Sequence, residues 1–376
     1  MNIALIGGGG SAHLLAVLLS GRGHRIRVLT SRPDVWSHTL TLKAAESELT
    51  GEIVGATADS TSILDGADVA FLCMPVHQYP NALAHLINGI YKNPHCIIGT
   101  VYGQGGFDWM VTHTCKGNGL PVCRHFAIGL LPWIVRVEEY GKKSISYGPK
   151  LRNGIACSDD ETFAYLQRVL LDDLSYNYWG CGKFEKVPNF ITLTLTVDNQ
   201  IIHPSRCYGL MRESSYWESP SSIPYFYRDF DDFSTEILKG IDTDYTSVRD
   251  AYFNRVPRLR NAYDLDYLAL EHWSYGSHNP DIRASFVHSE TLREIRPPVV
   301  LGHDGRFRLD VEHRFFKDDF AYGLQIAQWF ARQLNCDVPH IDMLIEWYLS
   351  EIQPRQKAIL VPGVPTYYGI THELGI

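Results

Sequence analysis

His203 is the residue of this chain best suited to moving a proton. Imidazole titrates near neutrality and is the usual general acid or base. It stands directly before Pro204, with Thr196, Asn199 and Gln200 upstream. Read as a helix, those four polar residues recur at three- and four-residue spacing. They form one stripe on an otherwise apolar cylinder, as a buried helix lining a site would. Read as a strand, Ile191, Leu193, Leu195 and Val197 alternate with threonine. Periodicity leaves both readings open, and a single histidine near a helix end also serves purely structural roles. Further on, the stretch His313 to Phe320 gathers Arg314, Asp318 and Asp319 just before an apolar helical run. Carboxylates there complement the positive end of a helix.

A second group of residues is suited to holding phosphate. Met1 to Ile6 is a short apolar run, followed by Gly7-Gly8-Gly9-Gly10-Ser11-Ala12 and an apolar helical run from Leu14 to Leu19. Gly7, Gly9 and Ala12 fill the small-residue positions of G-x-G-x-x-G/A. The first makes the tight turn, the second admits a pyrophosphate, and the third lets helix and strand pack closely. Gly10 and Ser11 open the helix, whose free N–H groups and positive dipole end attract phosphate. The next strand, about Arg25 to Leu29, ends in Thr30-Ser31-Arg32-Pro33, with no carboxylate until Asp34. NAD-binding versions of this unit place an acidic residue there to grip the ribose 2′-OH. The hydroxyl of Ser31 and the guanidinium of Arg32 suit a 2′-phosphate instead, so NADP(H) is favoured over NAD(H). An Arg32 that is only solvated surface is the plain alternative.

These groups need a scaffold, and the chain supplies one in alternating order. Ala67 to Pro75 reads as a central strand buried on both faces. His95 to Val101 reads as another, followed by a glycine turn that carries Gln104. Loops at strand carboxyl ends bind ligands in open α/β sheets, which makes Gln104 either a substrate contact or an ordinary turn residue. Phe126 to Val137 reads as one strand region with a kink at Pro132-Trp133, Lys143 to Tyr147 as a late strand, and Asp159 to Leu171 as a helix with Ser158 as its N-cap. This alternation predicts an α/β domain with a doubly wound parallel sheet over residues 1–186. The glycines and proline from Tyr178 to Pro188 mark a boundary, and residues 187–376 form a second, mainly helical domain. Its stretch 213–290 is rich in aromatic residues, helices follow at about Ala321 to Asn335 and His340 to Ile352, and the tail from Val361 to Ile376 has no assignment.

Composition narrows the function. A net charge of −8 with no basic cluster argues against nucleic acid. No apolar run approaches the roughly 18 residues of a membrane span. No basic n-region precedes the first strand, so no signal peptide is expected. The eight cysteines form no C-x-x-C pair, so reduced thiols and a cytoplasmic location are expected. The 16 histidines show no metal-ligand spacing, and no metal is expected.

Taken together, the chain resembles the opine dehydrogenases of the octopine and nopaline dehydrogenase type. The resemblance covers most of the chain. It rests on Gly7 to Ala12, on Leu131-Pro-Trp-Ile-Val-Arg136, on Asn199-Gln-Ile-Ile-His203-Pro204, and on Arg314 through Asp319 with the helix after it. Gly10-Ser11 departs from the Asn-Gly common in the family, with little expected effect on pyrophosphate binding. The resemblance implies a Rossmann-type N-terminal domain and a helical C-terminal domain. It implies reductive condensation of an amino acid with a 2-oxo acid such as pyruvate, using NADH or NADPH. It makes the Asn199 to Pro204 segment helical, His203 the catalytic histidine, Asp319 its carboxylate partner and Arg314 the clamp on the oxo-acid carboxylate, with Gln104 a further substrate contact. It is compatible with a homodimer and does not name the amine.

The chemistry suits these residue types. The amine must lose a proton, the carbinolamine must lose water, and hydride must reduce the resulting imine. Two other readings stand beside it: a 2-hydroxyacid or polyol dehydrogenase that needs no amine, and a cofactor-binding regulator without turnover.

Overall fold

The computed structural model describes residues 1–44, 47–175 and 182–357. The boundary segment from Tyr178 to Cys181 and the tail from Val361 to Ile376 lie outside the described residues. Two compact units divide at Leu193 and Thr194.

The first unit is built outward from β1 (Asn2–Ile6), whose last four residues are buried. It is followed by α1 (Gly10–Ser20), β2 (Arg25–Leu29), β3 (Thr39–Ala44), β4 (Ser47–Glu52), β5 (Gly55–Thr57), β6 (Val69–Leu72), α2 (Tyr79–Lys92), β7 (Ile97–Thr100), α3 (Phe107–Gly117) and β8 (His125–Ile128). Six strands lie parallel in the order β5-β2-β1-β6-β7-β8. This is the doubly wound dinucleotide-binding arrangement, with its switch point between β1 and β6. β6 and β7 are buried throughout, which is why they read as continuous apolar runs.

The strand region from Phe126 to Val137 is in fact divided between two sheets. β8 ends at Ile128, and β9 (Trp133–Glu139) pairs with β10 (Lys143–Pro149) in a separate sheet of order β4-β3-β10-β9. Pro132 has no N–H for a ladder, and nearby side chains take over the backbone groups where the chain leaves the main sheet. Asn153 accepts from Leu130 N at 3.0 Å and donates to Leu130 O at 2.6 Å, while Lys150 Nζ donates to Leu131 O at 2.8 Å. The second sheet packs on α1, where Leu40, Leu42 and Trp36 join Leu14, Leu15 and Val17 in one core.

β11 (Asn153–Cys157) then extends the main sheet antiparallel to β8. It is followed by α4 (Asp160–Leu166), α5 (Asp172–Ser175) and β12 (Phe184–Lys186). The N-cap of α4 is Asp159 rather than Ser158: Asp159 Oδ1 accepts from Thr162 N at 2.6 Å, and the Ser158 hydroxyl donates to the Asp159 carboxylate. Val187 N still bonds to Ile155 O, so the chain stays with the sheet beyond β12.

The second unit is helical. Phe190–Leu195 forms α6, which spans the division and settles the ambiguous stretch against a strand, though the helix breaks over 196–198 and so leaves Thr196 off α7. Next come α7 (Asn199–Glu213), α8 (Asp232–Arg255), α9 (Tyr267–Tyr275) and α10 (Ile282–Val287). A small hairpin, β13 (Val299–Leu301) and β14 (Phe307–Leu309), leads to α11 (Arg314–Lys317), a π turn at Phe320–Leu324, α12 (Gln325–Leu334) and α13 (Pro339–Trp347). Asp198, Asp231, Asp266 and Asp281 cap α7, α8, α9 and α10 by accepting a first-turn N–H. Among the described residues, no helix is long and apolar enough to cross a membrane, and seven cysteines are free.

Candidate active site

Every residue of α7 from Gln200 to Leu210 is buried, so a polar side chain on this helix needs a partner. His203 has two. Its Nδ1 lies 2.7 Å from Asp319 Oδ2, and its Nε2 lies 3.3 Å from the Tyr227 hydroxyl. His203 and Asp319 are each about 1% exposed. The imidazole stacks on Phe315 at 3.6 Å between centroids and meets Phe226 edge-on. Burial holds the Asp319 carboxyl well above the usual range. Arg314 opposes that shift, while Asp318 and Asp198 add to it.

Local sequence makes the approach of these elements possible. A Cβ on Gly323 would lie 2.9 Å from the side chain of Gln200, so the π turn packs against α7 only because residue 323 is glycine. Leu324 N reaches back to Asp319 O at 2.9 Å, closing that wide turn directly after the carboxylate. On the other side Arg206, one turn beyond His203 and about 1% exposed, binds the loop that carries Tyr227. It donates to Phe226 O at 3.1 Å, to Asp229 O at 2.7 Å, and to the Asp231 carboxylate. Gln200 donates to Tyr322 O and accepts from the Tyr245 hydroxyl.

Arg314 opens α11, and its guanidinium lies 5.1 Å from the Phe315 ring centroid. Among the described residues it makes no hydrogen bond or ion pair. Half-buried and close enough to act on Asp319, it is a cation with donors to spare. The second unit thus brings His203, Asp319 and Arg314 together. Tyr227 and Phe315 were not found by sequence reasoning. Tyr227 sits in an aromatic-rich stretch with no spacing to distinguish it.

In the first unit, the glycine turn has the geometry a pyrophosphate requires. Gly7 has φ of +112°, and a Cβ there would lie 2.9 Å from Cys73 O at the end of β6. Only glycine meets both conditions. Gly9 is the N-cap of α1 and brings no side chain to it. The first-turn N–H groups of Gly10, Ser11 and Ala12 make no hydrogen bond among the described residues, so they are open to an anion. Ser31 and Arg32 are exposed just beyond β2. Gln104 is wholly buried in the loop after β7, where its Oε1 accepts from the Tyr102 hydroxyl at 2.6 Å.

Comparison with known proteins points the same way. Residues 186–350 match the family model of the NAD/NADP octopine/nopaline dehydrogenase alpha-helical domain. Residues 2–101 match that of the coenzyme F420-dependent NADP oxidoreductases. Tauropine dehydrogenase of Arabella iricolor is 24% identical, with 98% of this chain and 97% of that protein aligned. Opine dehydrogenase of Haliotis discus hannai is 25% identical, with 98% and 96% aligned. The chain is similar to opine dehydrogenases over nearly its whole length. These matches indicate an NAD(P)-dependent oxidoreductase. Octopine dehydrogenase solved with NADH and agmatine shares its fold at a TM-score of 0.76 and 19% identity, covering 98% of this chain and 96% of that one. Yersinopine dehydrogenase with NADP+ bound does so at 0.69 and 12% identity, covering 100% and 98%.

Proposed function

We propose that this protein is an opine dehydrogenase that reductively condenses an amino acid with a 2-oxo acid such as pyruvate, giving an N-(carboxyalkyl) amino acid, and that it prefers NADPH. The observation that carries the reading is the buried 2.7 Å contact between His203 Nδ1 and Asp319, with the Arg314 guanidinium nearby. Asp319 holds Nδ1 and leaves Nε2 as the atom that exchanges protons. Nε2 takes a proton from the incoming ammonium, then returns one to the carbinolamine hydroxyl so that water leaves and the imine forms. The Tyr227 hydroxyl beside Nε2 extends this proton path. Arg314 grips the oxo-acid carboxylate with two parallel hydrogen bonds, and Gln104 is a further substrate contact. Gly7, Gly9, Gly10, Ser11 and Ala12 hold the pyrophosphate, and Ser31 and Arg32 hold the 2′-phosphate. When bound, the nicotinamide supplies the hydride. Residues 1–186 form the nucleotide domain and 187–376 the substrate domain.

The test is loss of reduced-nicotinamide absorbance with pyruvate, with and without a panel of amino acids. Oxidation that requires both substrates supports the proposal and names the amine. Oxidation with pyruvate alone supports the 2-hydroxyacid dehydrogenase reading.

Two variants probe single roles. Arg32→Ala should weaken NADPH binding at least about tenfold and NADH binding less than about twofold. Equal losses, read by nucleotide fluorescence titration, would refute the NADPH preference. Tyr227→Phe should lower kcat by about tenfold with KM little changed. An unchanged kcat would remove the hydroxyl from the proton path.

A further inference from the structure

Tyr140 lies at the turn between β9 and β10, far in sequence from the glycine loop, yet its side chain ends there. A Cβ on Gly8 would stand 2.1 Å from the Tyr140 hydroxyl oxygen. That hydroxyl lies 2.6 Å from Thr30 Oγ1, at the end of β2. The Arg32 guanidinium carbon sits 3.8 Å above the Tyr140 ring centroid. Among the described residues, the Arg32 side chain makes no hydrogen bond or ion pair. The contact made by its guanidinium there is the stacking on this ring.

The hairpin turn is itself fastened to the nucleotide loop. His13 Nδ1 lies 2.9 Å from Gly9 O, so it carries the proton and donates, and Nε2 accepts from Gly141 N at 2.8 Å. Gly141 has φ of +76°, and a Cβ there would meet Val35 O at 2.5 Å, so the turn also packs tightly on the connection after β2. The Tyr140 ring meets both His13 and Trp36 edge-on. The ring is thus held from three sides, and an arginine stacked on a fixed ring loses less freedom when it binds an anion.

We propose that Tyr140 is a specificity-determining residue for the nucleotide: its ring presents Arg32 to the 2′-phosphate of the adenosine ribose. This rests on the NADPH reading above, and it adds that preference resides in the second sheet as well as in the connection after β2. Tyr140 touches the phosphate only through Arg32, so it is a positioning residue.

The experiment is isothermal titration with 2′,5′-ADP and with 5′-ADP, which report the adenosine end without turnover. The wild-type protein should favour 2′,5′-ADP by at least about tenfold. Tyr140→Leu should reduce that ratio by about three- to tenfold, mainly by weakening 2′,5′-ADP. Tyr140→Phe, which keeps the ring, should retain the ratio. Arg32→Ala should cost less selectivity in the Tyr140→Leu background than in the wild type.

A Tyr140→Leu protein that binds both ligands equally less well has lost only structure, and that result overturns the proposal. An unchanged ratio overturns it too. Loss of the ratio in Tyr140→Phe moves the role to the hydroxyl and overturns the stacking account even if the leucine variant does not fold. A wild-type ratio of one or below refutes the NADPH preference itself and takes this proposal with it. A high wild-type ratio with no effect of Tyr140 refutes this proposal alone.

Discussion

His203→Ala should lower turnover by at least about a hundredfold while leaving nucleotide affinity within about twofold of wild type. The expectation follows from burial and from division of labour. No other imidazole in the second unit is both paired through Nδ1 to a buried carboxylate and packed between aromatic rings among the described residues. On the proposed mechanism, removing the ring deletes the group that handles two successive proton transfers, and the stranded Asp319 would not substitute, because its burial favours the neutral form. Nucleotide affinity is unaffected because the glycine turn and Arg32 belong to the other unit. The check pairs steady-state kinetics with fluorescence titration of NADPH. Near-normal turnover would remove His203 from the mechanism, whereas weakened nucleotide binding would show damage beyond the site.

Arg314→Ala should reduce kcat/KM for the 2-oxo acid by about a hundredfold or more, with the KM for the amine much less changed. A charge-assisted bidentate grip is about twice as strong as a neutral hydrogen bond and also orients the carbonyl carbon. Arg314→Lys keeps the charge but not the planar fork, so it should recover only part of the loss. Varying pyruvate and amine separately distinguishes the outcomes. A loss shared equally between both substrates would mean that Arg314 acts through Asp319, whose carboxyl it helps to keep ionised, rather than on the oxo acid.

What could be read from the sequence was local. The glycine turn lies within a dozen residues, so strand, turn and helix signals reinforce one another there. β6 and β7 were legible because burial on both faces leaves an unbroken apolar run. The second sheet was not legible, because its parallel pairing of Thr41 with Lys143 joins distant segments that carry no shared local signal. For the same reason β9 was merged with β8, since Pro132 looks like a kink until the side chains of Asn153 and Lys150 are seen supporting the backbone around it. Asp159 and Ser158 are both good caps in adjacent positions, and the reading from sequence took Ser158 where Asp159 does the capping. The partnership of His203 with Asp319 spans 116 residues. It came from family resemblance, not from any pattern a helix or strand would impose, and Tyr227 and Tyr140 had no such help.

Arg32 and Tyr140 belong to one unit, and His203, Asp319 and Arg314 to the other. Changes at sites that share no partners usually combine additively in free energy. On the roles proposed above, cofactor preference and chemical competence would be separable: a designer could exchange one reductant for the other through the β9–β10 turn and the β2 connection, and the factor lost there should simply multiply the factor from any change made on the helical side.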